Sequence, residues 1–268
     1  MAYFANRVVA ITGAGAGIGR ELALALAGGG ALLALSDKSA QAVAETGRLC
    51  AALHSEPLVT TLDVTDRSAV LAHAAATVAH FGRVEALFNN AGILHVGGVA
   101  ESPFRDFEQV MDVDFWGVVN GTKAFLPYLQ AAERAHVVNM SSAFGLVGVA
   151  QHGPYNAAKF AVRGFTDSLR QDMRAAGGVV RVTGVYPGGV LTSIARSARV
   201  APGIDAASVA RRFEERVART GPAGGPGGSL HRGGGFRLRG GGGGGGGAPP
   251  PRRPTGCRRS SSCSPATS

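Results

Sequence analysis

Residues 7–12 (Arg-Val-Val-Ala-Ile-Thr) are β-branched and apolar, as a buried strand requires, and they run straight into Gly13-Ala14-Gly15-Ala16-Gly17-Ile18-Gly19. A helical run, 20–27, follows at once. Strand, glycine turn and helix in immediate succession leave few architectures open, because the turn must reverse the chain while its backbone stays accessible. Counted from Gly13, the third glycine of the common Gly-x-Gly-x-x-Gly form falls on Ile18, so the spacing that fits is Gly13-x-x-x-Gly17-x-Gly19. The physics is unchanged: Gly13, Gly15, Gly17 and Gly19, with Ile18 among them, let the backbone approach a pyrophosphate at a helix N-terminus. The next apolar stretch, 31–36, ends at Asp37. An acid there accepts hydrogen bonds from ribose hydroxyls and repels a 2′-phosphate, which favours NAD over NADP. Lys38 follows directly and softens that repulsion, leaving NADP open.

Further strands are expected at 57–62, 84–88, 136–140 and 179–185, with helices at 39–54, 67–81, 104–130 and 155–175. Gly28-Gly29-Gly30 and Gly177-Gly178 read as helix stops. The alternation implies an α/β fold: a Rossmann-type doubly wound parallel sheet with right-handed crossovers, one domain over residues 1–220. Ligands of such sheets bind at the carboxyl ends of the strands, where Thr12, Asp37, Asp63, Asn89, Ser142 and Pro187 fall.

Tyr155 and Lys159 are four residues apart, one turn along the same face of a predicted helix, and Ser142 lies upstream of both. A phenol is a poor base at neutral pH, and a nearby ammonium favours its ionised form. A serine hydroxyl can hold a carbonyl oxygen against that phenol. The three residue types together supply the chemistry for moving a hydride to or from a carbonyl.

With these motifs in order, the chain resembles the classical short-chain dehydrogenase/reductase family over residues 6–199. Thr12 to Gly19 looks like that family's cofactor loop, and Asp63-Val64 like its adenine-contacting pair. Asn89-Asn90-Ala91-Gly92 looks like the motif closing the fourth strand, and Asn139-Met140-Ser141-Ser142 like the strand bearing its catalytic serine. Pro187-Gly188-Gly189-Val190-Leu191-Thr192 looks like the loop that binds the nicotinamide carboxamide, with Thr192 as a contact. The resemblance implies Tyr155 as general acid/base, Lys159 as the group that lowers its pKa and holds the nicotinamide ribose, and Ser142 as the group that orients the substrate carbonyl. It implies a cofactor held by Gly13, Gly15, Gly17, Ile18, Gly19, Asp37, Asp63, Val64, Asn90, Ala91, Gly92, Tyr155, Lys159, Pro187, Gly188, Val190 and Thr192. It also implies a homodimer or tetramer, with the dimer favoured through the helices at 104–130 and 155–175.

One position departs from the family. Where it usually carries an Asn that completes a proton relay, this chain has Asp114. An amide both donates and accepts hydrogen bonds, whereas an ionised carboxylate only accepts. Asp114 could keep a water chain, stay protonated if buried, or disfavour the tyrosinate by its charge. Asp114 is therefore counted with Ser142, Tyr155 and Lys159 in the catalytic set.

Composition divides the chain. Glu215 is its last acid, residues 216–268 hold nine arginines, and the formal charge of +9 therefore sits in that stretch. Residues 221–268, with Gly240 to Gly247 unbroken and Pro249-Pro250-Pro251 following, are too poor in apolar side chains to offset chain entropy, so disorder is expected. An inert extension, an arm for nucleic acid and an out-of-frame translation compete for this tail; the last is favoured and nucleic acid is the least favoured. No apolar run is long enough to cross a membrane. No charged N-terminal segment leads into an apolar stretch as in a signal peptide, so a cytoplasmic location is expected. Cys50, Cys257 and Cys263 form no disulfide framework or metal cluster, and no metal is expected. Phe144, Leu146, Val147, Val149 and Ile194 are candidates for an apolar pocket. The reading is an oxidoreductase acting with NAD(H) on a lipophilic secondary alcohol or ketone; the alternative is a catalytically impaired cofactor-binding protein.

Overall fold

The computed structural model describes residues 2–53, 55–188, 194 and 198–220. The tail 221–268, Val190 and Thr192 lie outside the described residues.

Val8–Thr12 forms β1, all five residues buried, and Gly17–Ala27 forms α1 behind it. Then come β2 (Leu32–Asp37), α2 (Ala40–Ala51), β3 (Leu58–Thr61), α3 (Arg67–Phe81) and β4 (Ala86–Asn89). After the two-residue β5 (His95–Val96) follow α4 (Phe104–Met111), α5 (Gly117–Gln130), β6 (Ala135–Met140), α6 (Gly153–Ala175) and β7 (Val180–Val185). The short β8 (Arg199–Val200) pairs with β5 and leads to α7 (Ala206–Thr220). The main sheet has six strands in the order β3-β2-β1-β4-β6-β7. Every pairing in it is parallel, as in a Rossmann-type fold.

Local signals set the boundaries. Ser39 and Asp66 cap α2 and α3 by accepting from Ala42 N (3.2 Å) and Ala69 N (3.0 Å). Gly82 ends α3 in the left-handed region at φ 77°, which a side chain would disfavour. The central strands β1, β4 and β6 are buried along almost their whole length, whereas the edge strand β3 alternates. Val8, Leu87, Phe125 and Val137 belong to one core layer; Val9, Ile11, Leu33 and Phe88 belong to another.

The expected helices agree with the structure except between 104 and 130. There a π-helical segment, Asp112–Trp116, separates α4 from α5 and widens the turn that carries Asp114. Helix α7 was not anticipated, although Ala, Arg and Glu are strong helix formers; Val209 packs against a buried apolar cluster.

His73, on α3, is 2% exposed and stands edge-on to Phe125 at 5.8 Å. Neither ring nitrogen has a partner among the described residues. Burial pushes its pKa down from 6.5 to about 4. Between those values the unfolded chain binds a proton that the folded chain refuses, so this contribution is intact above 6.5 and is lost as pH falls toward 4. We expect His73→Leu to flatten the acid limb of chemical unfolding by up to about 3 kcal/mol, read as the difference in unfolding free energy between pH 7 and pH 4.5.

Candidate functional site

The site begins where β1 ends. The Thr12 hydroxyl accepts from the backbone N–H groups of Asn90 (3.0 Å) and Ala91 (3.1 Å). The Asn90 amide returns two hydrogen bonds, to the carbonyls of Thr12 and Gly13, both at 3.0 Å. The glycine turn is thereby locked to the end of β4. Gly13 has φ +65°, and a Cβ there would stand 2.7 Å from the Ala91 Cα, so the position requires glycine twice over. At the other end of the turn, Asp37 accepts from Gly15 N (2.9 Å) through Oδ2 and from Ser39 N (2.9 Å) through Oδ1. A Cβ on Gly15 would come within 2.8 Å of the same carboxylate. Arg20, which sequence reasoning missed, donates to the Gly15 carbonyl and to Thr46 Oγ1 (3.0 Å) on α2.

Asp63 and Val64 follow β3. Asp63 pairs with Lys38 at 2.6 Å and accepts from the N–H and hydroxyl of Thr65. Burial pushes its carboxyl up, but the Lys38 and Thr65 hydrogen bonds outweigh that and hold it below the usual value. Lys38 thus leans on Asp63, an exposed pair of small energetic weight. Val64 is buried, and its carbonyl accepts from Asn120 at 3.0 Å. Ile18 opens α1 half-buried, with Gly17 before it at φ +53° and Gly19 buried after it. Pro187 lies past β7, its carbonyl accepting from Ala143 N (2.9 Å), and Gly188 beside it is exposed.

The second half of the site lies past β6 and along α6. Tyr155 is 7% exposed and Lys159 4%. The Lys159 ammonium stands 5.4 Å from the Tyr155 ring centroid and donates to the Met140 carbonyl at 3.2 Å. Its other partner is Asp114, fully buried, whose Oδ2 is 3.0 Å from Nζ. The Asp114 Oδ1 accepts from Ile93 N at 2.8 Å. Gly92 leaves room beside this pair: a Cβ there would lie 3.4 Å from Nζ and 3.5 Å from each carboxylate oxygen. Ser142 accepts from Phe144 N at 3.2 Å, and its hydroxyl acts on the Tyr155 phenol in favour of the ionised form.

The electrostatics are those of a dry cluster. Burial pushes the Asp114 carboxyl above its usual value, opposed by the Lys159 ammonium and the Ile93 N–H. Burial disfavours the Lys159 charge, yet Asp114 and Tyr155 outweigh it and hold that ammonium above its ordinary value. The Tyr155 phenol is raised, first by burial; Lys159 and the Ser142 hydrogen bond pull it down while Asp114 pushes it up.

Apolar groups surround this cluster. Leu94, Val96, Val110 and Ala158 are buried with Tyr155, and Phe144, Ile194, Val200 and Val209 pack against them. Of the five expected pocket residues, Phe144 and Ile194 join this cluster, Val149 is half-buried, and Leu146 and Val147 are exposed. Beside it a second pair was not foreseen: His95, fully buried on β5, meets Asp106 of α4 at 3.0 Å.

Residues 7–202 match the sequence model of the short chain dehydrogenase family. The chain belongs to that family. As an oxidoreductase of the short-chain dehydrogenase family it has relatives in several bacteria. It is 54% identical over 218 residues to a Mycobacterium tuberculosis protein named as an oxidoreductase, SadH, covering 81% of this chain and 79% of that one. A short chain dehydrogenase/reductase from Burkholderia phymatum, solved in complex with NAD, superposes with a TM-score of 0.76 at 35% identity, covering 82% of each chain. Carveol dehydrogenase from Mycobacterium avium, also in complex with NAD, gives a TM-score of 0.69 at 25% identity, covering 72% of this chain and 74% of that one.

Removing one partner of a buried ion pair leaves the other charge stranded. Lys159→Met should therefore cost about 3–5 kcal/mol of unfolding free energy, and Asp114→Asn added to it should restore much of that loss, as measured by denaturant titration of the two variants.

Proposed function

We propose that this dehydrogenase interconverts a lipophilic secondary alcohol and its ketone with NAD(H), using Tyr155 as general acid/base. The convergence of Ser142, Tyr155 and Lys159 at the carboxyl edge of the sheet, beside the Gly13–Gly19 turn, carries this reading.

The turn fits a dinucleotide. A side chain at Gly13 would run into the Ala91 backbone and one at Gly15 into the Asp37 carboxylate, so the turn stays bare, and Asp37 stands beside it to accept ribose hydroxyls. The NAD complexes of two structural relatives support the same choice. Gly13, Gly15, Gly17, Ile18 and Gly19 would take the pyrophosphate; Asp37, Asp63 and Val64 the adenosine; Asn90, Ala91, Gly92, Tyr155 and Lys159 the nicotinamide ribose. Pro187 and Gly188 would border the nicotinamide. Bound there, the nicotinamide supplies or accepts the hydride. In reduction, Tyr155 gives its phenolic proton to the carbonyl oxygen as the hydride reaches the carbon; in oxidation the phenolate takes the hydroxyl proton. Ser142 donates to the same oxygen and fixes its distance from the phenol. Lys159 holds its charge next to the phenol and stabilises the tyrosinate.

The apolar cluster of Leu94, Val96, Phe144, Ile194 and Val200 around Tyr155 favours a lipophilic substrate, as do the exposed Leu146 and Val147. Trp116, Tyr128 and Phe160, exposed beside or on α5 and α6, favour a dimer through those helices. No helix among the described residues is long and apolar enough to cross a membrane.

Tyr155→Phe should lower turnover roughly hundredfold or more while NADH affinity changes little, in a nicotinamide-absorbance screen of hydrophobic secondary alcohols and ketones. NADH affinity with no turnover on any substrate would favour the impaired reading, for which the Asp114 charge beside Lys159 is the specific observation. Asp37→Ser should weaken NADH by roughly tenfold to hundredfold and weaken NADPH far less, by fluorescence titration of both cofactors.

A further inference from the structure

The Asp114–Lys159 contact changes the charge arithmetic of the cluster. An ammonium beside a phenol and an amide carries a net charge of +1 while the phenol is protonated and zero once it ionises. With a carboxylate in place of the amide, the cluster is neutral with the phenol protonated and −1 with the phenolate. What offsets that extra charge is Lys159 and the Ser142 hydroxyl, within otherwise apolar packing. The side chains clustered with Tyr155 from β5, α4, β8 and the residue before β5 are apolar, among them Leu94, Val96, Val110 and Val200. His95 of β5 is held by Asp106 of α4, and His152 stands edge-on to Phe144, on which Tyr155 also packs. Asp112, two residues before Asp114, is exposed. The titratable groups acting on the Tyr155 phenol are therefore Lys159 on α6 and Asp114 on the π segment, with a hydrogen bond from Ser142. Asp114 itself meets Lys159 and the Ile93 N–H. The ammonium is 3.0 Å from the carboxylate, closer than its 5.4 Å to the Tyr155 ring centroid. An amine is a stronger base than a carboxylate, so at neutral pH the shared proton rests on nitrogen and both partners are charged.

We propose that Asp114 is a positioning residue that, by occupying Lys159, keeps the Tyr155 phenol protonated through the neutral range and so suits this enzyme to carbonyl reduction, with alcohol oxidation confined to alkaline conditions. The inference rests on the reading of Tyr155 as the acid/base. Reduction consumes the phenolic proton, which solvent replaces afterwards; oxidation needs the phenolate at the outset. The direction of the Tyr155 shift, in which Asp114 opposes Lys159, agrees with the charge count.

The sign of the test follows. Oxidation rises as pH passes the phenol's pKa and reduction falls there, so a raised pKa moves both limbs upward. Asp114→Asn keeps an acceptor for Ile93 N–H and removes the charge. It should move both limbs of kcat/KM down by roughly one pH unit or more, and raise oxidation roughly tenfold per unit at pH values below the original limb. Thermal melts and circular dichroism establish that the variant is folded. A second measurement needs no Asp114 variant: ultraviolet difference titration of the unmutated protein against Tyr155→Phe should show no Tyr155 ionisation below the ordinary phenol range near ~10. Ionisation of Tyr155 below that range, or an Asp114→Asn profile that stays in place or moves upward, overturns the proposal. Retention of full activity by Tyr155→Phe would instead remove the acid/base reading itself, so the two failures are distinguishable.

Discussion

Four hydrogen bonds between the ends of β1 and β4 make the rest of the site possible. The hydroxyl of Thr12 receives the N–H groups of Asn90 and Ala91, and the Asn90 side chain holds the carbonyls of Thr12 and Gly13. Parallel strands leave their last backbone groups unpaired at the carboxyl edge, and a turn there would otherwise be loose. The latch closes those groups on one another, and the N–H groups of Ala14 and Gly15 beyond it are tied to Ser36 O and Asp37 Oδ2. It also fixes Gly92, two residues past Asn90, beside Lys159. The glycine turn and the Tyr155 cluster are thus positioned by the same short stretch.

Below the latch a buried polar ladder ties the sheet to its helices. Asn89 of β4 donates to Asn139 of β6 (2.9 Å) and to Thr122 of α5 (3.0 Å). Asn139 donates to Thr166 of α6 (3.0 Å), which in turn donates to the Val162 carbonyl. Polar groups in a dry layer are costly unless paired, and paired they accept only one register. Here they hold β4, β6, α5 and α6 in the one alignment that brings Ser142 at the end of β6 against Tyr155 on α6.

Sequence showed what depends on spacing and hid what depends on the third dimension. The four-residue step from Tyr155 to Lys159 survives as two buried side chains on one helical face because α6 is regular from Gly153 to Ala175. The glycine turn was legible for the same reason: strand and helix flank it without interruption. Arg20 was not, since nothing local announces a side chain that reaches across to Thr46 on another helix. Helix α7 has a helix-forming composition, but its few apolar residues, Val209 among them, gave no clear buried stripe to read. The His95–Asp106 pair joins residues whose contact depends on how β5 meets α4.

Asp114 shows the limit most sharply. Its residue type was evident, and the consequences of a carboxylate there were open between a water chain, a protonated acid and a charge acting on the phenol. The π segment decides among the geometries, because widening one turn sets the inward direction of residue 114, and a pattern of 3.6 residues per turn does not reveal such a turn. With Asp114 directed at Nζ and Ile93 N, Oδ1 accepts the Ile93 N–H while Oδ2 stands 3.0 Å from the Lys159 ammonium as an ion pair without a hydrogen bond. Lys159 spends one N–H on Met140 O and meets Asp114 as an ion pair. A lone buried ammonium would be stabilised by shedding its proton; a paired one retains it. The carboxylate therefore secures the positive charge of Lys159 while offsetting part of that charge's pull on Tyr155, and both effects come from the same 3.0 Å contact.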